Sequence, residues 1–574
     1  MSTRDDLILA IEGGQLLDAV HERVMSRDEP TTLAAELVAL HNEGQVDLVA
    51  TFAPLGERLD GPAFFMTRHV FEQALPDLDA PVPAVIGCVL RLYQGAGHDL
   101  AAGSIVRSYM EYLQRSQGNA AEALAEIEAK PDTLAELLPA TLIAGFHTDR
   151  ELFAREAMRL CQDTSLDLRR QALYSIGRLE WASGEEAMLA LTTLERSAEV
   201  EGDDLCLAAI MKSAFALMLK DGALEARVVG LIKSALEAGD EQAIHAASEI
   251  FGFDTDKMTP SVFDVIRPFL IQVKLVNKGT VDNVDFGLAH LLERGDSSIA
   301  VRLLEELLMS DGWSMGLLDG AARAILLNPS LMSWVASRWL MRGDRPLCTA
   351  VGTIVASSGG DPGLNADCAE LEDADPFRLV FAARKAIGYL FGHPMSACSF
   401  LISVMECAKA DKRVLEGLAQ LLFDPLLLNY TGRAREYVMA GQEAASDEVK
   451  WAVSLALERL EDYLAALRSV GDLPALHPGA RQQGAYDRQL SRQMQESWKA
   501  AEASSPILSL ISKSVVLYGR TSVMYSHEGA GTPARTEFPM QRHETEMELP
   551  RMLRLDPIGL EYMLRVFRVE RIAT

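Results

Sequence analysis

The residues of this chain best suited to chemistry are two histidine–carboxylate groups near its end, His527-Glu528 and His543-Glu544-Thr545-Glu546. Imidazole and carboxylate together ligate zinc or relay protons near neutral pH. A zinc-protease helix needs a second His one turn after the first, and the chain has none there. On a strand, His543 and Thr545 would face one side and Glu544 and Glu546 the other. Surface or satisfied polar positions are the expectation for both groups. Gly529-Ala530-Gly531 lacks the third glycine of a dinucleotide fingerprint. Pro533 and Arg535-Thr536-Glu537-Phe538 after it read as extended chain, so a hairpin loop is expected. There is no Walker A sequence and no Gly-x-Ser-x-Gly elbow. The seven cysteines (88, 161, 206, 348, 368, 398 and 407) are scattered, odd in number and without a Cys-x-x-Cys pair. Buried, inert thiols in a reducing cytosol are expected of them. The expectation is a chain that is not an enzyme, with no catalytic residue, no metal and no cofactor.

Basic residues are the other candidates. Arg169, Arg170, Arg378, Arg384 and Lys385 could line a groove as phosphate contacts. The formal net charge is −28, however, and such a surface repels nucleic acid and anionic lipid. Bridges from one helix pair to an acid of the next are expected for these arginines instead. The tryptophans, including Trp334 and Trp339 on one helix, are assigned to packing.

The elements that position these residues read as helices. Hydrophobic residues make up 49% and aromatics only 6% of the 574 residues, with Ala and Leu abundant. That balance suits helices better than strands. Amphipathic segments alternate with short breaks; Leu205 to Leu219, ended by Lys220-Asp221-Gly222, is typical. Thr31-Thr32 and Thr259-Pro260-Ser261 read as helix starts. Asp-initiated helices recur near Asp132, Asp167, Asp204 and Asp240, and again near Asp375, Asp411 and Asp447, at steps of 35 to 37 residues. That period belongs to paired-helix repeats, in which each pair buries the apolar face of its neighbour. Insertions interrupt the rhythm at Phe253 to Lys257 and Ser357 to Asp375. The longest apolar run, Leu347 to Ala356, is too short to span a membrane. The first residues lack the features of a signal peptide.

Leu168-Arg169-Arg170-Gln171-Ala172-Leu173-Tyr174-Ser175-Ile176-Gly177 resembles the core of a bacterial HEAT repeat: an aliphatic residue, Arg, Ala three later, then an aliphatic residue and Gly. Val449-Lys450-Trp451-Ala452-Val453 is a weaker copy, with Lys for Arg and no Gly. Asp375-Pro376 with Ala382-Ala383 and Ile387-Gly388 is another, with Val380 where Arg would fall. The resemblance implies an all-α, right-handed superhelical α-solenoid of HEAT-like helix pairs. Residues 1–120 would start it and residues 121–471 form its repeats.

From residue 472 the character changes. Residues 476–574 carry 13 Lys+Arg against 11 Asp+Glu, while the rest carries 41 against 71. Residues 472–574 are expected to hold a linker, a polar helix over 484–503, and a small β-containing tail with strands near Ser514–Tyr518, Thr521–Tyr525 and Glu544–Leu549. A last helix should open at Asp556-Pro557-Ile558. Tyr518, Arg520, Tyr525, Arg535, Phe538, Arg542 and His543 stand apart from the repeat pattern and are the expected partner-binding residues. The chain is thus read as a cytoplasmic protein-binding scaffold or regulatory subunit. Its partner is another protein, not nucleic acid and not a membrane. A HEAT-like nucleic-acid-binding protein or enzyme, of DNA glycosylase or lyase type, is the alternative. An accessory or sensor subunit of a bacterial multi-gene system such as defence is another.

Overall fold

A computed structural model of the chain describes residues 3–26, 29–97, 103–443, 445–471, 479–504, 521–526, 534–539 and 548–572. The chain divides between Leu327 and Asn328 into two compact units. Each is a stack of helices in which one helix pair packs on the next, so the chain is an all-α solenoid. None of the described helices is long and apolar enough to cross a membrane.

In the first unit one row of helices runs through the stack: α1 (Leu166–Ile176), α2 (Asp204–Lys220), α3 (Glu241–Phe253), α4 (Lys278–Arg294) and α5 (Asp319–Leu327). Their buried residues are Leu, Ile, Ala, Phe and Val at helical spacing. Close approach is set by glycine. A Cβ on Gly177 would sit 2.6 Å from the Ser213 Cα, and one on Gly287 would strike the Phe251 ring at 2.5 Å. The Gly at the end of the repeat motif is therefore a backbone contact between α1 and α2.

The aspartate rhythm has a physical cause. Of the expected helix-start aspartates, Asp375 and Asp411 are N-caps whose carboxylates accept from N–H groups of their own helices, while the cap position is held by Asp203 before Asp204, by Ser165 before Asp167 and by Ser446 before Asp447. Other acids cap the helix of the following repeat. Asp204 accepts from Asp240 N (2.7 Å), Gln242 N (2.6 Å) and Ala243 N (3.2 Å). Asp285 does so for Gly320 and Ala321, and Asp361 for Met395 and Ser396. These acids serve helix N-termini, whose dipoles favour negative charge. Thr259 caps as expected, accepting from Val262 N. Thr31 and Thr32 do not: that helix starts at Pro30, whose fixed φ suits the first turn, and Glu29 holds the cap position.

The cysteine expectation needs correction. Cys368 and Cys407 form a disulfide that ties the short helix Cys368–Leu371 to Pro394–Cys407. The other five thiols are buried. Burial pushes Cys88, Cys206 and Cys348 up to about 12, and Cys161 and Cys398 higher still.

The second unit contains α6 (Pro376–Leu390), followed by Pro394–Cys407, Lys412–Leu421, Arg433–Gln442 and the long helix Asp447–Val470. A polar helix spans Ala480–Ser504. The backbone of β1 (Thr521–Ser526) pairs antiparallel with β2 (Ala534–Pro539). The chain then reaches α7 (Arg551–Leu555) and α8 (Pro557–Val569), the latter capped by Asp556 on Gly559 N.

Candidate protein-docking site

Polar side chains suited to binding are mostly committed within the stack. Arg169 pairs with Glu201 at 2.8 Å and Arg170 with Asp203 at 3.3 Å, each bridging to the following repeat. Arg267–Glu306 and Lys212–Glu249 do the same, and Arg227–Glu195 bridges back to the preceding repeat. Arg378 instead stays on its own helix, 3.8 Å from Asp375. Trp334 donates to Glu370 at 3.0 Å, and Trp339 is fully buried. A cleft of about 500 Å³ beside Pro260–Leu270 holds Phe263, Ile299, Arg267, Arg294 and Arg302. Its three arginines meet three acids, Asp264 and Asp296 of the lining and Glu306 beside it, so it offers no net positive charge. Among the described residues no group of His, Cys, Asp and Glu could hold a metal.

The second unit contains a built docking site, and its occupant is the chain's own C-terminal segment. α8 lies along α6. The fit starts with Gly388 of α6, where a Cβ would come within 3.2 Å of the Arg568 Cγ and 3.3 Å of its N. Lys385, one turn earlier, is fully buried. Its Nζ donates to the carbonyls of Arg568 (2.8 Å) and Glu570 (2.5 Å), the carbonyls that the end of α8 leaves without helical partners. A cation at a helix C-terminus also meets the negative end of its dipole. Burial holds the Lys385 ammonium below the ordinary lysine range, while the Cys348 thiol and Glu570 act to raise it. Arg384 pairs with Glu570 at 2.8 Å. Arg568 Nε donates back to the Gly388 carbonyl at 2.6 Å. Leu560 and Leu564 supply the buried apolar contact.

Two more clamps precede α8. Glu548 accepts from Gly432 N (2.8 Å) and Arg433 N (2.9 Å), capping the helix Arg433–Gln442. Asn429 Oδ1 accepts from Met552 N at 2.9 Å. Arg384 and Lys385, weighed in the sequence as phosphate contacts, therefore hold a peptide. Sequence reasoning missed Asn429, Gly432, Glu548 and Arg568, whose partners lie more than 100 residues away along the chain. The one available signal was the Arg384-Lys385 pair set between the apolar runs Leu379–Ala383 and Ala386–Leu390.

Of the expected partner-binding residues, Tyr525 of β1 stands opposite Arg535 of β2, and Phe538 opposite Ser522. Tyr518, Arg520, Arg542 and His543 lie outside the described residues, as do His527-Glu528 and Gly529-Ala530-Gly531.

No family model and no curated protein matches the chain. Among solved structures it is similar to yeast importin-beta, at 11% identity and a TM-score of 0.27. The match covers 81% of this chain and 64% of that one, less than two thirds of the importin-beta length.

Proposed function

We propose that the chain is a non-catalytic protein-binding scaffold or regulatory subunit of the cytoplasm, acting through its solenoid surface and through a C-terminal segment that its second unit holds on the face of α6. The observation that carries this reading is the way residues 548–572 are held. A lysine on terminal carbonyls, an ion pair, a carboxylate on a helix N-terminus and an amide on a backbone N–H are the contacts of peptide recognition. The pairing of Arg169, Arg170 and Arg384 with acids supports a protein partner over nucleic acid. Tyr518, Arg520, Tyr525, Arg535, Phe538, Arg542 and His543 remain the proposed second contact surface.

The test is anisotropy titration of the purified chain against labelled single- and double-stranded DNA and RNA, beside crosslinking–mass spectrometry of the chain in its host. The reading expects no nucleic-acid binding at physiological salt, and crosslinks to a reproducible protein partner. Saturable nucleic-acid binding without protein crosslinks would overturn it.

A further inference from the structure

α8 is apolar on two opposite faces. Leu560 and Leu564 are buried against the unit. On the other side, Ile558, Tyr562, Val566 and Val569 are 82%, 71%, 42% and 64% exposed. Their spacing of four, four and three residues places them in one stripe along the helix. A contiguous apolar stripe left in water along a helix marks a surface that another element covers. The opposite face is fixed by Lys385, Arg384 and Gly388, so the stripe is rigidly presented.

The charges along the stripe define what covers it. Its three acids are engaged: Asp556 caps Gly559 N, Glu561 lies 3.6 Å from Arg568, and Glu570 pairs with Arg384. Arg554, just before the stripe, and Arg565, on its rim, are exposed. No acidic side chain among the described residues pairs with either of them. On a chain with a net charge of −28, this is an apolar stripe with a basic border. A second copy of the same stripe would set two like-charged borders against each other, since residues 551–571 carry five arginines against Asp556, Glu561 and Glu570, which disfavours self-association.

We infer that the outer face of α8 is a docking surface for an amphipathic helix of a partner protein, apolar at four-residue steps and flanked by acidic residues. The inference rests on the scaffold reading and specifies the partner's chemistry. It fits the helix-in-groove mode, with apolar anchors giving affinity and charges giving choice of partner.

The test uses the full chain and two synthetic helical peptides with the same leucine stripe, one flanked by Glu and one by Lys, in a fluorescence anisotropy titration. The Glu-flanked peptide should bind at least 10-fold more tightly. Ile558→Ser with Tyr562→Ser should weaken it at least 10-fold, and Arg565→Glu should reduce the preference for Glu flanks. Both side chains in the double variant are exposed, so its melting temperature should match that of the parent. Equal binding of the two peptides, or binding indifferent to the double variant, would overturn the inference. So would a dimer in sedimentation that Tyr562→Ser dissolves. Any of these results would leave the host crosslinking test of the scaffold reading standing, so the two failures are distinguishable.

Discussion

Replacing Lys385 with Met should release the C-terminal segment without unfolding the unit that holds it. Met keeps most of the apolar stem and removes the ammonium. The carbonyls of Arg568 and Glu570 then lose the donor that meets both of them. A buried polar group left without its hydrogen bond costs about 1–3 kcal/mol. Two such groups, partly relieved by water at the exposed chain end and by the Tyr389 hydroxyl, which donates to the Arg568 carbonyl at 3.5 Å, weaken docking by roughly 2–4 kcal/mol. At 1.4 kcal/mol per factor of ten, opening of α8 rises by roughly 30- to 700-fold. The body of the second unit gains slightly in the same change, because it no longer buries an ammonium whose pKa burial already depresses. Hydrogen exchange read by mass spectrometry separates the two effects. Peptides covering Pro557–Val569 should lose protection by that factor, while those covering Lys412–Leu421 keep theirs. Protection of α8 unchanged within threefold would refute the account of Lys385, as would a loss spread evenly over residues 376–470.

Asp204→Ala removes the cap on α3 and should destabilise the first unit by about 1–2 kcal/mol in urea unfolding, near the upper end for a cap because three N–H groups lose their acceptor. Two glycines should respond with opposite signs in the same assay. Gly177→Ala forces a Cβ against the Ser213 backbone and costs roughly 1–3 kcal/mol, whereas Gly230→Ala, in an open helix position, gains up to about 1 kcal/mol. Thiol titration of the non-reduced chain should find no fast-reacting cysteine in the native state, five after denaturation, and seven after denaturation with reductant. The raised thiol pKa values also set a pH trend. The unfolded chain loses thiol protons near the ordinary thiol value of 9.0 while the folded chain holds them to about 12. The stability they contribute is therefore complete below pH 9 and falls as pH rises beyond it, which urea midpoints between pH 8 and 11 will show.

The stacked helix pairs were legible because their cause is local. Asp375, Asp411 and Thr259 each announce a helix start, and Gly177 announces a close approach one repeat away. Even the arginine bridges at Arg169 and Arg170 follow from a repeat that brings acids 32 and 33 residues downstream alongside them. The docking site was not legible, because it joins positions with no periodic relation. Nothing in the neighbourhood of Lys385 announces that Arg568 and Glu570, 183 and 185 residues later, supply its acceptors. The Cys368–Cys407 pair was missed for a related reason: a spacing of 39 residues looks accidental until the loop before α6 is seen folded back beside the end of Pro394–Cys407. Asp556-Pro557 did mark the start of α8. The helix's two apolar faces appear only once Leu560 and Leu564 are seen buried and Ile558 and Tyr562 are seen in solvent.

The most direct test of the central claim is photo-crosslinking in the host from the full chain, with a photoreactive amino acid at Tyr562 and, as control, at the exposed Val200 of the first unit. The account predicts one reproducible protein adduct from position 562, absent from position 200 and lost when Ile558 is changed to Ser. Adducts to nucleic acid, or the same background from both positions, would contradict it.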